Sequence, residues 1–356
     1  MKIIIVTGGS GGHIYPATTL AGALIDKGHE VKFVGTSYRM EKEVIPQMGY
    51  DFVGLKVTST SGNIFNKIGS IITIFFNYFK CRKIVKGYDM AIGFGNYISI
   101  PVILAAKHMG LKTVIHEQNS YVGRANRYLD EKVDLVIGCY PEDKEQFKNK
   151  NIKIIGNPQS DRAFKIEKDA SVIPSFGLDP NKKTVVIFMG SLGSSTVSNI
   201  VCDYLNKTNG SYQVIYATGN SDYDNVVSKV NKDYVKVLKR IDAVKVMRNS
   251  DLVICRAGAS SLSEIAALGI TSILIPSPYV PNNHQFYNAK ALTDNNAAIM
   301  IEEKNLNSDV LNKKVDELIN NDLLRQEISS NALKLANKNV LEDTIKELEK
   351  LWLKNF

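Results

Sequence analysis

The chain has 356 residues, enough for two domains each burying its own core. It is 44% apolar and 22% charged. It contains no run of about 20 apolar residues, so no membrane-spanning helix is expected, and a net charge of +8 admits nucleic acid, anionic lipid or a phosphorylated ligand as partner.

The chain opens on Ile3-Ile4-Ile5-Val6, a continuous apolar run suited to a strand buried on both faces, and not on the charged and apolar regions of a signal peptide. Strands are expected over Lys2–Thr7, Val31–Gly35, Met90–Gly93, Thr113–Ile115, Leu135–Cys139 and Ile152–Ile155. A second set covers Thr184–Met189, Gln213–Ala217, Val235–Val237, Leu252–Cys255, Ser272–Ile275 and Ala298–Ile301. Helical patterns separate them, so the expected fold class is α/β, built of parallel βαβ units. The polar stretch from about Ala163 to Lys183, with Pro174 and Pro180, reads as the linker. Near the end, Ile345, Leu348, Leu351 and Trp352 recur at helical spacing, which predicts a final helix packing back on a domain surface.

Each half begins with a glycine-rich turn between a strand and a helix. The first is Thr7-Gly8-Gly9-Ser10-Gly11-Gly12-His13; the second is Met189-Gly190-Ser191-Leu192-Gly193-Ser194-Ser195. Such turns aim backbone N–H groups and a helix N-terminus at one point, which favours an anion such as a pyrophosphate. Neither is a Walker A loop, since no Gly-Lys-Ser/Thr follows. The first is a poor dinucleotide fingerprint because Ile14 stands where a third glycine is needed. Val34-Gly35-Thr36-Ser37 also lacks an acidic ribose partner, which disfavours a nicotinamide-dependent oxidoreductase. His13, at the entry to a helix with Pro16 in its first turn, is either a packing residue or a general base.

Further on, Arg256-Ala257-Gly258-Ala259-Ser260-Ser261-Leu262-Ser263-Glu264 follows a strand and opens a helix. Its small residues let amides approach a phosphate, and Glu264 is placed to take both hydroxyls of a ribose or simply to cap the helix. Pro276 to Gln285 forms a proline-rich loop ending in His284-Gln285, donors suited to sugar hydroxyls. His116-Glu117-Gln118-Asn119 has no second histidine four residues on, and the five histidines are scattered, so no metal site is expected. Asp222-Tyr223-Asp224 reads as a helix start. Cys81, Cys139, Cys202 and Cys255 show no C-x-x-C spacing and read as reduced core residues of a cytoplasmic protein.

Between Asp51 and Asp89 there is no acidic residue, while Lys56, Lys67, Lys80, Arg82, Lys83 and Lys86 are present. The segment Ile71 to Phe79 is apolar nearly all round. Ile68, Ile71, Ile72, Phe75 and Phe79 are expected to make a core face. The remainder, with its basic flanks, fits an anchor on an anionic leaflet. A wholly buried helix and a dimer contact are the competing readings. No pattern for binding nucleic acid accompanies it.

Together these motifs resemble the MurG family of N-acetylglucosamine transferases over essentially the whole chain. The most specific pieces are the Thr7–His13 loop, His116–Asn119, Gly156-Asn157-Pro158, Arg256 to Glu264, and His284-Gln285 with Asn288-Ala289. The resemblance implies a GT-B fold: two Rossmann-like domains facing across a cleft, residues 1–160 with 342–356 for acceptor and membrane, and 161–341 for the UDP-sugar. It implies inverting transfer from UDP-N-acetylglucosamine to the C4 hydroxyl of a lipid-linked N-acetylmuramoyl-peptide, without cofactor or metal. It implies a place in peptidoglycan synthesis, hence in cell shape and division, as a peripheral enzyme on the cytoplasmic face of the membrane. His13 is then the catalytic base. On the donor side, Ser191, Ser260 and Ser261 hold the diphosphate, Ile241 lies against uracil, Glu264 holds the ribose, and His284 and Gln285 reach the sugar. Ser10, Gly11, Gly12, Asn119 and Ser160 are counted with them. On the acceptor side stand Gly12, His13, Tyr97, His116, Glu117 and Asn119. The chain departs from the family pattern at Met189, Ser194, Asn96, Ile100 and Ser160, where Arg162 stands nearby in place of the usual arginine. A related transferase with another lipid acceptor and a non-catalytic membrane-recruited scaffold remain as alternatives.

Overall fold

The computed structural model describes residues 1–57, 64–190 and 194–354; the side chains of 64–68, 70 and 71 are likewise outside the description. The chain divides into two compact units. The first comprises Met1–Gln159 with Asn339–Phe356, and the second Ser160–Lys338.

In the first unit, β1 (Lys2–Val6), β2 (Glu30–Thr36), β3 (Phe52–Leu55), β4 (Met90–Gly93), β5 (Lys112–His116), β6 (Leu135–Gly138) and β7 (Ile152–Ile154) form one sheet in the order β3-β2-β1-β4-β5-β6-β7. Every pairing is parallel. Ile3 and Ile5 pack on one face with Ile14, Leu20 and Leu24 of the Gly11–Asp26 helix. Ile4 and Val6 pack on the other with Val102 and Ala106 of the Ser99–His108 helix. Burial on both faces is why β1 is an unbroken β-branched run instead of an alternating one.

In the second unit, β8 (Thr184–Phe188), β9 (Gln213–Ala217), β10 (Val235–Leu238), β11 (Leu252–Cys255), β12 (Ser272–Leu274) and β13 (Ile299–Met300) run parallel in the order β10-β9-β8-β11-β12-β13. Val185, Ile187, Val214, Leu252 and Ile254 pack against Val197 and Val201 of the Ser195–Lys207 helix.

β3 is the strand that sequence periodicity does not reveal. It is four residues long and holds Gly54, where a Cβ would sit 3.0 Å from the Ser37 backbone. Its glycine answers a close approach between neighbouring chains, which leaves no local pattern. The stretch from Ala163 to Lys183 is not a bare linker. The Gln159–Lys165 and Val172–Ser175 helices occupy part of it, and it is tied to the second unit by Arg162–Asp242 (3.1 Å) and Lys245–Asp169 (3.1 Å). The final helix starts at Val340, two residues before expectation, and buries Val340, Ile345, Leu348 and Leu351 in the first unit's core.

The Ile64–Ile84 helix corrects the sequence reading at three of the five residues of the expected core face, the side chains of Ile68 and Ile71 lying outside the description. Ile72, Phe75 and Phe79, expected in the core, are exposed together with Phe76, which is 64% accessible. The buried face instead carries Asn77 and Cys81, with Ile74 and Tyr78 packed against the core beside them. Asn77 decides the orientation: its Nδ2 donates to the carbonyls of Lys56 (2.8 Å) and Thr73 (2.7 Å). No helix among the described residues is long and apolar enough to cross a membrane.

Candidate functional site

In the first unit the conspicuous chemistry collects at the C-terminal ends of β1, β4 and β5, adjacent in the sheet. The strand order reverses between β1 and β4, the place where open α/β sheets hold ligands. Gly9 has φ +94, a left-handed conformation that lets the Thr7–Ser10 turn fold back tightly. Its N–H donates to Glu41 Oε2 (3.1 Å), while Glu41 Oε1 accepts from Thr36 N and Oγ1. Asn96, itself left-handed at φ +65, donates from Nδ2 to the Gly8 carbonyl (2.8 Å). The glycine loop is thus braced from two sides by side chains that local sequence does not connect to it.

The helix then starts at Gly11, which puts Pro16 in its second turn and not its first; lacking an N–H, Pro16 leaves the Gly12 carbonyl without its helical donor. His13 sits in the first turn, half-buried. Its Nδ1 lies 2.8 Å from Gln118 Oε1. Gln118 Nε2 lies 2.9 Å from His116 Nδ1 and 3.0 Å from the His116 carbonyl, and His116 Nε2 is 3.2 Å from the Gly156 carbonyl. The fully buried His116 ring stacks on Phe94 at 4.9 Å. Burial pulls its pKa down to about 4, against the opposing Gly156 hydrogen bond and with a smaller contribution from His13, so the ring is neutral at physiological pH. Gly95, at φ +75, faces the His13 ring: a Cβ there would stand 3.3 Å from Cε1.

Glu117 is not free to act as an acid or base. Oε1 accepts from Gln118 N, Asn119 N and Asn119 Nδ2, and Oε2 from Gly123 N and Asn126 Nδ2. A buried carboxylate with this many donors organises its loop. Tyr97 is also engaged. Tyr38 donates to the Val57 carbonyl (2.6 Å), so the Tyr97 hydroxyl donates to Tyr38 (2.7 Å). Burial first, then that bond, hold the Tyr97 hydroxyl well above its usual pKa.

In the second unit a cavity of about 330 Å³ lies at the ends of β8, β11 and β12, again where strand order reverses. Its lining includes Gly190, Ser194, Arg256, Gly258, Ser261 and Gln285. The Ala259–Leu268 helix begins there with Gly258 as N-cap; a Cβ on Gly258 would meet nothing within 4 Å. An uncapped helix N-terminus opening into a cavity suits an anion. The buried Ser260 hydroxyl has no hydrogen-bond partner. Arg256 is aimed by three contacts: Nη1 on the Ile275 carbonyl (3.1 Å) and near Glu303 (2.7 Å), and Nη2 on Ser194 Oγ (2.7 Å). Gln285 Oε1 accepts from Ser277 N (2.8 Å), fixing the loop after β12. Asn282 and Asn283, both left-handed, turn that loop into the His284–Thr293 helix, and His284 Nδ1 meets the Pro281 carbonyl at 2.9 Å.

Glu264 does not line this cavity. It lies one and a half turns into the helix, so it does not cap it, and it interacts with Arg162 and Asp242 instead. Burial raises its pKa to about 7, Arg162 opposing and Asp242 adding. Ile241, next to Asp242, is half-buried in the same region. Ser160 is buried in the Gln159–Lys165 helix, its hydroxyl 3.5 Å from the Asn337 carbonyl. Ser191 lies outside the described residues. Asp222, the expected helix start, accepts from Ser194 N, Ser195 Oγ and Ser198 Oγ, thereby holding the second glycine-rich turn's helix.

Two family models match: the glycosyltransferase family 28 N-terminal domain over residues 3–137 and the family 28 C-terminal domain over residues 184–348. A Bacillus licheniformis relative is 33% identical, covering 98% of this chain and 99% of that protein. One from Finegoldia magna is 34% identical, covering 99% and 98%. Both are named UDP-N-acetylglucosamine–N-acetylmuramyl-(pentapeptide) pyrophosphoryl-undecaprenol N-acetylglucosamine transferase. The chain belongs to the MurG group of glycosyltransferase family 28. Solved structures agree on the GT-B fold. The crystal structure of Acinetobacter baumannii MurG matches with a TM-score of 0.82 at 24% identity, over 98% of this chain and 99% of that one. A co-structure of S. aureus MnaA with UDP matches at 0.72 and 14% identity, over 100% and 98%.

For a family 28 glycosyltransferase, the structure gathers His13, Tyr97, His116, Glu117 and Asn119 in one unit and Ser261 and Gln285 at one cavity of the other. Glu41, Asn96 and Glu303 are the supporting residues that sequence reasoning missed. Glu41 and Glu303 stand outside every motif, and Asn96 is visible only as a departure from glycine.

Proposed function

We propose that the chain transfers N-acetylglucosamine from UDP-N-acetylglucosamine to the C4 hydroxyl of undecaprenyl-diphospho-N-acetylmuramoyl-pentapeptide, with inversion. The observation that carries this reading is a match over nearly the whole chain, at 33% and 34% identity, to relatives bearing that name. The acceptor oxygen attacks the anomeric carbon, the bond to the UDP oxygen breaks on the opposite face, and His13 takes the hydroxyl proton. Base help of this kind is worth about 10²–10⁴-fold. Arg256 and the Ala259–Leu268 helix N-terminus offset the charge that builds on the departing diphosphate, with the Ser260 and Ser261 hydroxyls; Ser191 keeps the diphosphate role that the resemblance gives it. Glu264 holds the ribose, Ile241 the uracil, and His284 and Gln285 the sugar. Gly12 and Asn119 serve the acceptor beside His13, while His116, Glu117 and Tyr97 hold the surrounding loops in place.

The exposed Ile72, Phe75, Phe76 and Phe79, close in sequence to Lys80, Arg82, Lys83 and Lys86, seat the enzyme peripherally on the anionic cytoplasmic leaflet. UDP release from UDP-N-acetylglucosamine in EDTA, with and without a lipid-linked muramoyl-pentapeptide, tests the reaction. Acceptor-dependent release is expected. Donor binding without release would redirect the reading to another lipid acceptor, and no donor binding would end it.

A further inference from the structure

Gln118 touches neither of the two ligands in the reading above, yet it lies between the two histidines of the first unit. Its orientation follows from the main chain. The His116 carbonyl, held at the end of β5, lies 3.0 Å from one end of the Gln118 carboxamide. Only a donor can face a carbonyl at that distance, because two lone pairs would repel. That end is therefore the NH₂ group, and the opposite end, 2.8 Å from His13 Nδ1, is the oxygen.

The same amide nitrogen faces His116 Nδ1 at 2.9 Å, so Nδ1 carries a lone pair. His116 Nε2 faces the Gly156 carbonyl and carries the proton. Each assignment along the chain agrees with the next. The far end admits one solution: an oxygen facing His13 Nδ1 requires a proton on Nδ1, which leaves Nε2 of a neutral His13 bare.

We infer that Gln118 is a positioning residue that selects the His13 tautomer, with His116 and the Gly156 carbonyl holding the Gln118 amide in register so that His13 Nε2 is the nitrogen available for a proton. The His116 ring must be neutral for this. A proton on its Nδ1 would confront the Gln118 NH₂ group and turn the amide around. Gly95 contributes by leaving room for the His13 ring. The kinetic part of the inference rests on the base role given to His13; the tautomer itself does not.

The test is the side-chain ¹⁵N spectrum of the histidines in the intact protein at neutral pH, with a Gln118→Met variant for comparison. His13 protonated on Nδ1 and His116 protonated on Nε2 are the expected result; His13 protonated on Nε2 would overturn the inference. In Gln118→Met, His13 should lose its single tautomer and kcat should fall roughly 10- to 100-fold, with the KM for the UDP-sugar close to wild type and the unfolding temperature lowered by a few degrees for the acceptor left unpaired on His116. A folded Gln118→Met enzyme keeping kcat within about twofold would overturn the positioning role. Should that variant not fold, the wild-type spectrum still decides. A His13→Ala enzyme with near-normal turnover would instead overturn the base reading, a failure separable from that of the tautomer.

Discussion

Both candidate sites open a helix without a side-chain cap, but they commit their polar side chains differently. Around His13 most polar side chains are spent internally, Thr7 Oγ1 and Asn126 Oδ1 excepted: Glu117 on its own loop, Gln118 on two histidines, Tyr97 on Tyr38, Asn96 on the glycine turn. In the second unit the Ala259–Leu268 helix N-terminus opens on a cavity lined by Ser261 and Gln285, and the Ser260 hydroxyl, buried and outside that lining, is unpartnered. A site whose groups are already paired holds one chemical group in one orientation, whereas a site with open donors keeps them for a ligand. The first arrangement suits proton transfer and the second suits binding a diphosphate.

Four experiments would break or sharpen this contrast. The largest effect is expected from His13→Ala, which should lower kcat by about 10²–10⁴-fold and leave UDP binding, measured by calorimetry, unchanged. Weakened UDP binding would dissolve the separation of roles.

Next comes the cost of building the first site. The His116 pKa, about 4, lies below the ordinary histidine value of 6.5, so the unfolded chain takes up the proton first. The neutral buried ring contributes its full stability above pH 6.5, and that contribution is lost as pH falls from 6.5 towards 4, on the order of 3 kcal/mol. Urea midpoints of the intact chain at pH 7 and 5 should show about 2 kcal/mol of this loss, and a His116→Asn variant should lack most of it.

Glu264 probes the second unit. Its pKa is raised to about 7, and only the carboxylate accepts from two ribose hydroxyls at once. UDP affinity should therefore weaken as pH drops through 7, approaching tenfold per pH unit below it. Glu264→Gln should flatten that profile and weaken binding at pH 8 by about 1.5–3 kcal/mol, the usual value of hydrogen bonds to a charged group. A wild-type profile that is flat from pH 8 to 5.5 would remove Glu264 from the donor site.

The smallest effect is expected from Ser260→Ala. Removing an unpartnered hydroxyl should leave the unfolding temperature unchanged or slightly raised, and cost UDP affinity about 1 kcal/mol. A fall in stability without a fall in affinity would mean that this hydroxyl serves the fold.

Sequence alone was enough for the parallel α/β class, because strands buried on both faces must be continuous apolar runs and the turns after them need glycine. It was enough for the final helix, whose Ile345, Leu348 and Leu351 repeat at helical spacing, and its short motifs, through the family resemblance, singled out His13 and the His116–Asn119 segment as candidates. All of these signals lie between residues a few positions apart. Tertiary structure decided the rest. Periodicity identified the Ile64–Ile84 helix, but Asn77 reaching the Lys56 carbonyl determined that Phe75 and Phe79 face outward. Composition drew attention to His13, but the partner that sets its proton, Gln118, lies 105 residues away in the chain, and Glu41 braces Gly9 across 32. Hydrogen bonds at such separations leave no repeat in the sequence, because the folded sheet, and not the chain, makes those residues neighbours.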